Sequence, residues 1–148
     1  MSRTGSQVLL DSLHEEGVEY IFGIPGTLTL PFYDSLIDFP NIYPIVTRHE
    51  QGAAFAADGY SRVSGKTGVV FTVPGPGGTN IATALQSSKE DSVPVVAITS
   101  ALSDAMRNKS AIHDVDMEKA LASCVKKVFV PNKVSEIQDY VKAAFQWA

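Results

Sequence analysis

The sequence predicts an α/β fold of three layers, with helices on both faces of a mostly parallel sheet. Three observations carry this. Short runs rich in β-branched and aromatic residues alternate with stretches of helical periodicity along the whole chain. Gly- and Pro-rich turns separate them. The run "GVVFTV" at residues 68–73 is apolar at consecutive positions, as expected of a strand covered on both faces.

Each element follows from a local signal. Val8, Leu9, Leu10 and Leu13 fall on one side of a helix wheel before Gly17, which predicts a first helix at residues 4–16. "VEYIFGIPG" reads as a buried strand entering a Gly/Pro loop. A helix at residues 30–36 ends before Asp38 and Pro40, and "IYPIV" is the next strand. An Ala-rich helix spans residues 49–64 and leads into "GVVFTV". After "PGPGG", residues 79–88 read as helix and "VPVVAITS" as the fourth strand. Residues 116–123 are expected to be helical, "KKVFV" a fifth strand, and residues 135–147 a closing amphipathic helix. No internal repeat or linker-like tract interrupts the order.

A chain of 148 residues with 45% hydrophobic content suffices for one domain with a real core. The net charge of −4 arises from scattered acids, so neither a nucleic-acid footprint nor a polybasic membrane patch is present. No apolar run approaches the roughly 18 residues of a membrane span. The N-terminal segment has acids and helical periodicity, unlike a signal or transit peptide. Cys124 is the single cysteine, which fits a reducing compartment and a cytoplasmic location.

In a parallel sheet flanked by helices, ligands bind beyond the carboxyl ends of the strands. "GIPGT", "RHE" and "PGPGGTN" all fall there. The glycines permit close backbone approach to a ligand, or serve as ordinary strand-to-helix turns; neither loop matches a dinucleotide fingerprint or a P-loop. Glu50 opens a nearly uncharged helix. Packed, it would lie in apolar surroundings that favour the neutral acid; otherwise it complements the helix dipole with Arg48 beside it. His49 and His14 have no metal-ligand spacing, and no metal site is expected. His113, in "SAIHDVD", shares the edge with Glu50, where Asp114 and Asp116 also suit helix capping.

The segments "RHEQGAAFAADGYSRVSGKTGV", "GPGGTN", "DSVPVVAITS" and "GVEYIFGIPGTLTLPFYDSL" together resemble the pyrimidine-binding (Pyr) domain of thiamine diphosphate enzymes, closest to the acetolactate synthase branch. The resemblance covers nearly the whole chain in the right order. It implies that Glu50 hydrogen-bonds N1′ of the cofactor's aminopyrimidine and favours the imino tautomer that removes the thiazolium C2 proton. The resulting ylid attacks a 2-oxo acid such as pyruvate, giving C–C cleavage and carboligation. It further implies that Gly77 and Asn80 lie beside the ring, and that Pro25, Gly26 and His113 face the substrate.

The chain departs from the family pattern where Ile112-His113-Asp114 replaces the usual Phe-Gln-Glu, which places an imidazole near the substrate. Pro74 replaces the usual serine before "GPG". The family's diphosphate-binding (PP) domain, which holds Mg²⁺, and its middle domain, through which some synthase relatives bind FAD, are not matched. The chain stops before the family's sixth strand, which lies between the fourth and fifth in the order 2-1-3-4-6-5. The expectation is therefore a Pyr domain over 1–148, truncated at its C-terminus and inactive alone. It would work as a homodimer through Pyr–Pyr packing or with a PP-bearing partner. Two alternatives remain open: a catalytically silent Pyr-like dimerisation module, and a flavodoxin-like nucleotide binder.

Overall fold

In the computed structural model, which describes residues 3–107, 109 and 111–148, four strands form one parallel sheet. They are β1 (Tyr20–Gly23), β2 (Tyr43–Val46), β3 (Gly68–Thr72) and β4 (Val95–Thr99), in the order β2-β1-β3-β4. Parallel neighbours cannot be joined by a hairpin, so helices make every crossover. Before the sheet comes α1 (Gly5–Glu15); α2 (Leu30–Ser35) joins β1 to β2, and α3 (Glu50–Ser64) joins β2 to β3. The last crossover holds α4 (Pro76–Asn80) and α5 (Ala82–Glu90), and α6 (Met117–Leu121) and α7 (Ile137–Trp147) follow β4.

Alternation along the strands sorts side chains into two cores. Ile21, Val69 and Phe71 face one way and pack with Leu10, Leu13, Phe32 and Val141. Phe22 and Val70 face the other way, onto Ala53, Ala54 and Ala57 of α3 and Ala84 and Leu85 of α5. The three-layer α/β/α class predicted from the sequence is the class observed. Small alanines let α3 lie close to the sheet. At Gly68 the Ala57 carbonyl oxygen lies 2.1 Å from where a Cβ would be, so only glycine admits this approach.

Helix ends follow their capping chemistry. Thr4 and Gln7 form a reciprocal capping box at the start of α1. Gly65, at φ 70°, closes α3 in the left-handed conformation. Asp116 accepts the Lys119 N–H at the start of α6. The edge strand β2 is exposed along its length and carries Pro44, which offers no N–H to a further strand.

Two expectations are corrected. The helix expected from Thr79 begins at Pro76 and breaks at Ile81, so α4 and α5 are separate. Gly75 turns the chain with φ 67°, and Pro76, with its preset φ and no N–H to lose, starts the helix at once. The fifth strand is also absent from the sheet: "KKVFV" at residues 126–130 pairs with no strand among the described residues. β-propensity becomes a strand only where a ladder partner lies within about 4.7–4.9 Å. Here a groove of about 550 Å³ is lined by β4, residues 125–129 and α7. The segment packs on α7 instead, with the Phe129 and Tyr140 rings 5.8 Å apart.

A polar clamp joins α3 to α5 across the second core. Buried Asp58 receives Arg62 Nε at 2.6 Å and Ser88 Oγ at 2.7 Å, and Arg62 Nη2 also reaches Asp91 at 2.7 Å. The Arg62 guanidinium, helped by the Ser88 hydroxyl, holds the Asp58 carboxyl below the usual aspartate range. A carboxyl depressed in the folded state stabilises it fully above the unfolded value of about 4 and loses that contribution as pH falls through the folded value. Asp58→Asn is therefore expected to lower stability at neutral pH by about 1–3 kcal/mol. In urea unfolding, the gap between wild type and variant should close as pH drops below about 4; a gap that stays constant would refute the clamp.

Candidate functional site

Chain order places a topological switch between β1 and β3: the chain leaves β1 toward β2, then crosses to β3 on the other side of β1. In open α/β sheets, ligands bind at such a switch point, beyond the carboxyl ends of the strands. The loop after β1 is held tight by buried Thr29, whose Oγ1 accepts the Gly26 N–H at 2.8 Å and donates to the Gly26 carbonyl at 2.9 Å. Pro25 is exposed on this loop and Gly26 is half-buried.

Gly26 and Gly77 meet through one side chain that the sequence did not single out. A Cβ on Gly26 would lie 2.9 Å from one Val73 methyl, and a Cβ on Gly77 would lie 2.7 Å from the other. The two glycines therefore make room for Val73 and draw the two loops together. Gly78 does the same for Met117, whose terminal methyl lies 2.4 Å from the missing Cβ. The Met117 sulfur also accepts the Gly75 N–H at 3.2 Å. Neither residue had a spacing signal, because each fills a gap made by another segment.

Glu50 stands at the first turn of α3, where a negative charge complements the helix N-terminus. His49 is the N-cap, its Nδ1 accepting the Gln51 N–H at 3.2 Å. The half-buried Glu50 carboxyl reaches α4, where Asn80 Nδ2 donates to Glu50 Oε2 at 3.0 Å. The other oxygen, Oε1, lies 3.4 Å from the Cβ that Gly77 lacks. Glu50, Gly77 and Asn80 thus form one contact group.

His113 approaches from the opposite side. Its Cα lies 2.8 Å from the Cβ position of Gly75, so the loop after β4 seats directly on the glycine turn. His113 is half-buried and Ile112 is 72% exposed. Asp114 accepts the Lys109 N–H at 3.2 Å and Asp116 caps α6, so both acids have local structural duties. Among the described residues, no group of three or more His, Cys, Asp or Glu is placed to hold a metal ion. The chemistry on offer is a carboxyl with one oxygen held by an amide, able to exchange a proton with a neighbouring acceptor at the other.

The family model for the thiamine pyrophosphate enzyme N-terminal TPP binding domain matches residues 3–121. The chain belongs to that family. The TPP-binding domain is similar to a probable acetolactate synthase large subunit of Methanocaldococcus jannaschii, 40% identical over 144 residues, which are 97% of this chain and 24% of the relative. It is 39% identical over 145 residues to an acetolactate synthase of Mycobacterium bovis, covering 98% of this chain and 24% of that protein. It is 40% identical over 144 residues to the acetolactate synthase isozyme 2 large subunit of Escherichia coli, covering 97% and 26%. The chain thus spans about a quarter of the length of these relatives. Thiamine diphosphate is the cofactor that membership implies. No helix among the described residues is long and apolar enough to cross a membrane.

Two measurements check the packing of the TPP-binding domain at this edge. Burial pushes the Tyr33 phenol up to about 12; its oxygen lies 3.0 Å from the Cβ position of Gly23, at the end of β1. A rapid-mixing phenolate titration should show a step near pH 12 that Tyr33→Phe removes. Gly77→Ala should cost about 1–3 kcal/mol through overpacking. If Val73 occupies the contested space, adding Val73→Ala recovers part of that loss; a double variant no better than the single would refute the assignment.

Proposed function

We propose that residues 1–148 are the pyrimidine-binding domain of a thiamine-diphosphate-dependent enzyme of the acetolactate synthase kind, acting on a 2-oxo acid such as pyruvate. The observation that carries this reading is the Glu50 carboxyl, held by Asn80 beside Gly77 at the switch point of a chain from a TPP-binding family. The names of its relatives supply the reaction class. The residues fit the aminopyrimidine half of the cofactor. A half-buried carboxyl with one free oxygen suits a flat ring with a nitrogen acceptor at its edge, and Gly77 leaves that oxygen uncrowded. When bound, thiamine diphosphate supplies the carbon that attacks the carbonyl and a ring that takes up the electron pair left by decarboxylation.

In this reading Glu50 is the catalytic residue, holding a proton at N1′, with Gly77 and Asn80 on the cofactor side. Pro25 and Gly26 border the substrate space from the loop after β1. His113 borders it from the loop after β4, with an imidazole where the family pattern has an amide. The diphosphate and Mg²⁺ belong to a separate diphosphate-binding domain, so this chain supplies half of a site and is inactive alone. The lone, half-buried Cys124 is in keeping with a cytoplasmic setting. Pairing with a second copy is supported by apolar side chains exposed on α3, Phe55 at 43% and Val63 at 86%.

In a complete enzyme carrying this domain, Glu50→Gln should slow deuterium exchange at the cofactor's C2 by on the order of 100-fold or more while the fold survives. Unchanged exchange refutes the role given to Glu50. Calorimetric titration of the chain with thiamine diphosphate and Mg²⁺, with its mass in solution recorded alongside, separates a cofactor-binding half-site from a silent module that only dimerises.

A further inference from the structure

α4 meets the Glu50 carboxyl at two positions one turn apart. Residues three apart in a helix share a face, and Gly77 and Asn80 present that face to Glu50. Gly77 has no side chain near Oε1, and Asn80 places its amide on Oε2 at 3.0 Å. The other face of the same helix, at Gly78, is filled by Met117. Immediately after Asn80 the helix breaks at Ile81, which is fully buried and anchors that end of α4 in the core. Asn80 itself is half-buried, so water competes less for its amide.

The two oxygens of a carboxylic acid differ: one carries the proton and donates, and the other accepts. An amide N–H on Oε2 marks that atom as the acceptor. We propose that Asn80 is a positioning residue for Glu50, fixing the carboxyl so that the exchangeable proton rests on Oε1, the oxygen beside Gly77. Without the amide the two oxygens interchange by rotation about the terminal torsion, which has a broad, two-fold profile. The inference rests on the reading of Glu50 as the group that meets the cofactor's aminopyrimidine, and it assigns Asn80 to the carboxyl rather than to the ring. The ionisable neighbours at this end are Arg48 and His49 in the approach to α3 and His113 on the loop against Gly75. All three are retained in every variant below.

The test follows the ¹³C carboxyl resonance of Glu50 in the full chain labelled at glutamate, assigned by its loss in Glu50→Gln. A donated hydrogen bond favours the carboxylate. Asn80→Ala removes that donor and is therefore expected to shift the Glu50 resonance at a fixed neutral pH. Asn80→Asp, which sets a second carboxyl against the first, should shift that resonance as well. The other glutamate resonances should stay in place and report an intact fold. An unchanged Glu50 resonance in Asn80→Ala, with the fold intact, overturns the proposal. The probe for the cofactor reading is 4-amino-5-hydroxymethyl-2-methylpyrimidine, the aminopyrimidine half alone. It should shift the Glu50 resonance in wild type and less so in Asn80→Ala. If Asn80→Ala moves the resonance but the pyrimidine perturbs Glu50 in neither protein, the hold of Asn80 on Glu50 stands and the cofactor reading falls.

Discussion

The close seating of α3 on β3 governs the rest of the molecule. It requires Gly68, because the Ala57 carbonyl occupies the space that any side chain there would need. It also requires the small face of Ala53, Ala54 and Ala57 that lies on the sheet. With α3 fixed at that depth, its first turn carries Glu50 to the carboxyl edge. Its second half carries Asp58 and Arg62 to Ser88 and Asp91, tying α3 to α5. α5 follows α4 across the break at Ile81, so α3 is bonded to this crossover at two separate points, by the clamp and by the Asn80–Glu50 contact.

At the edge itself, the glycines act chiefly on protein neighbours. Gly26 and Gly77 admit the two methyls of Val73, Gly78 admits Met117, and Gly75 admits the backbone at His113. Three loops from separate strands thus interlock around small residues. Preorganised groups need little rearrangement when a ligand arrives, so such interlocking favours a site that exists before binding. Within it, Glu50 differs from the other acids nearby. Asp114 and Asp116 are engaged in local backbone bonds, whereas Glu50 receives one amide and retains an oxygen beside Gly77.

The far side of the sheet follows another logic. Among the described residues β4 pairs with β3 on one edge only, and residues 126–130 do not join the sheet. The groove between them lies on the flank opposite β2, whose exposed edge carries Pro44. The two flanks therefore differ in character: one is blunted by a residue without an N–H, and the other is lined by apolar side chains of β4 and α7.

The sequence by itself determined the layer order, the four paired strands, the turn at Gly75 and the position of Glu50 at a strand-to-helix junction. These are local matters of periodicity, glycine conformation and helix-terminal charge, each readable within a few residues. It misplaced the start of α4, because Pro76 is as good a first helical residue as it is a loop residue until the conformation of Gly75 is known. It also read residues 126–130 as a strand, because β-propensity describes suitability for a ladder and not the presence of a partner. Only the tertiary structure decided that Asn80 grips Glu50 across 30 positions. It alone decided that Val73 and Met117 fill the spaces beside the glycines, because such contacts depend on where whole elements come to rest against one another.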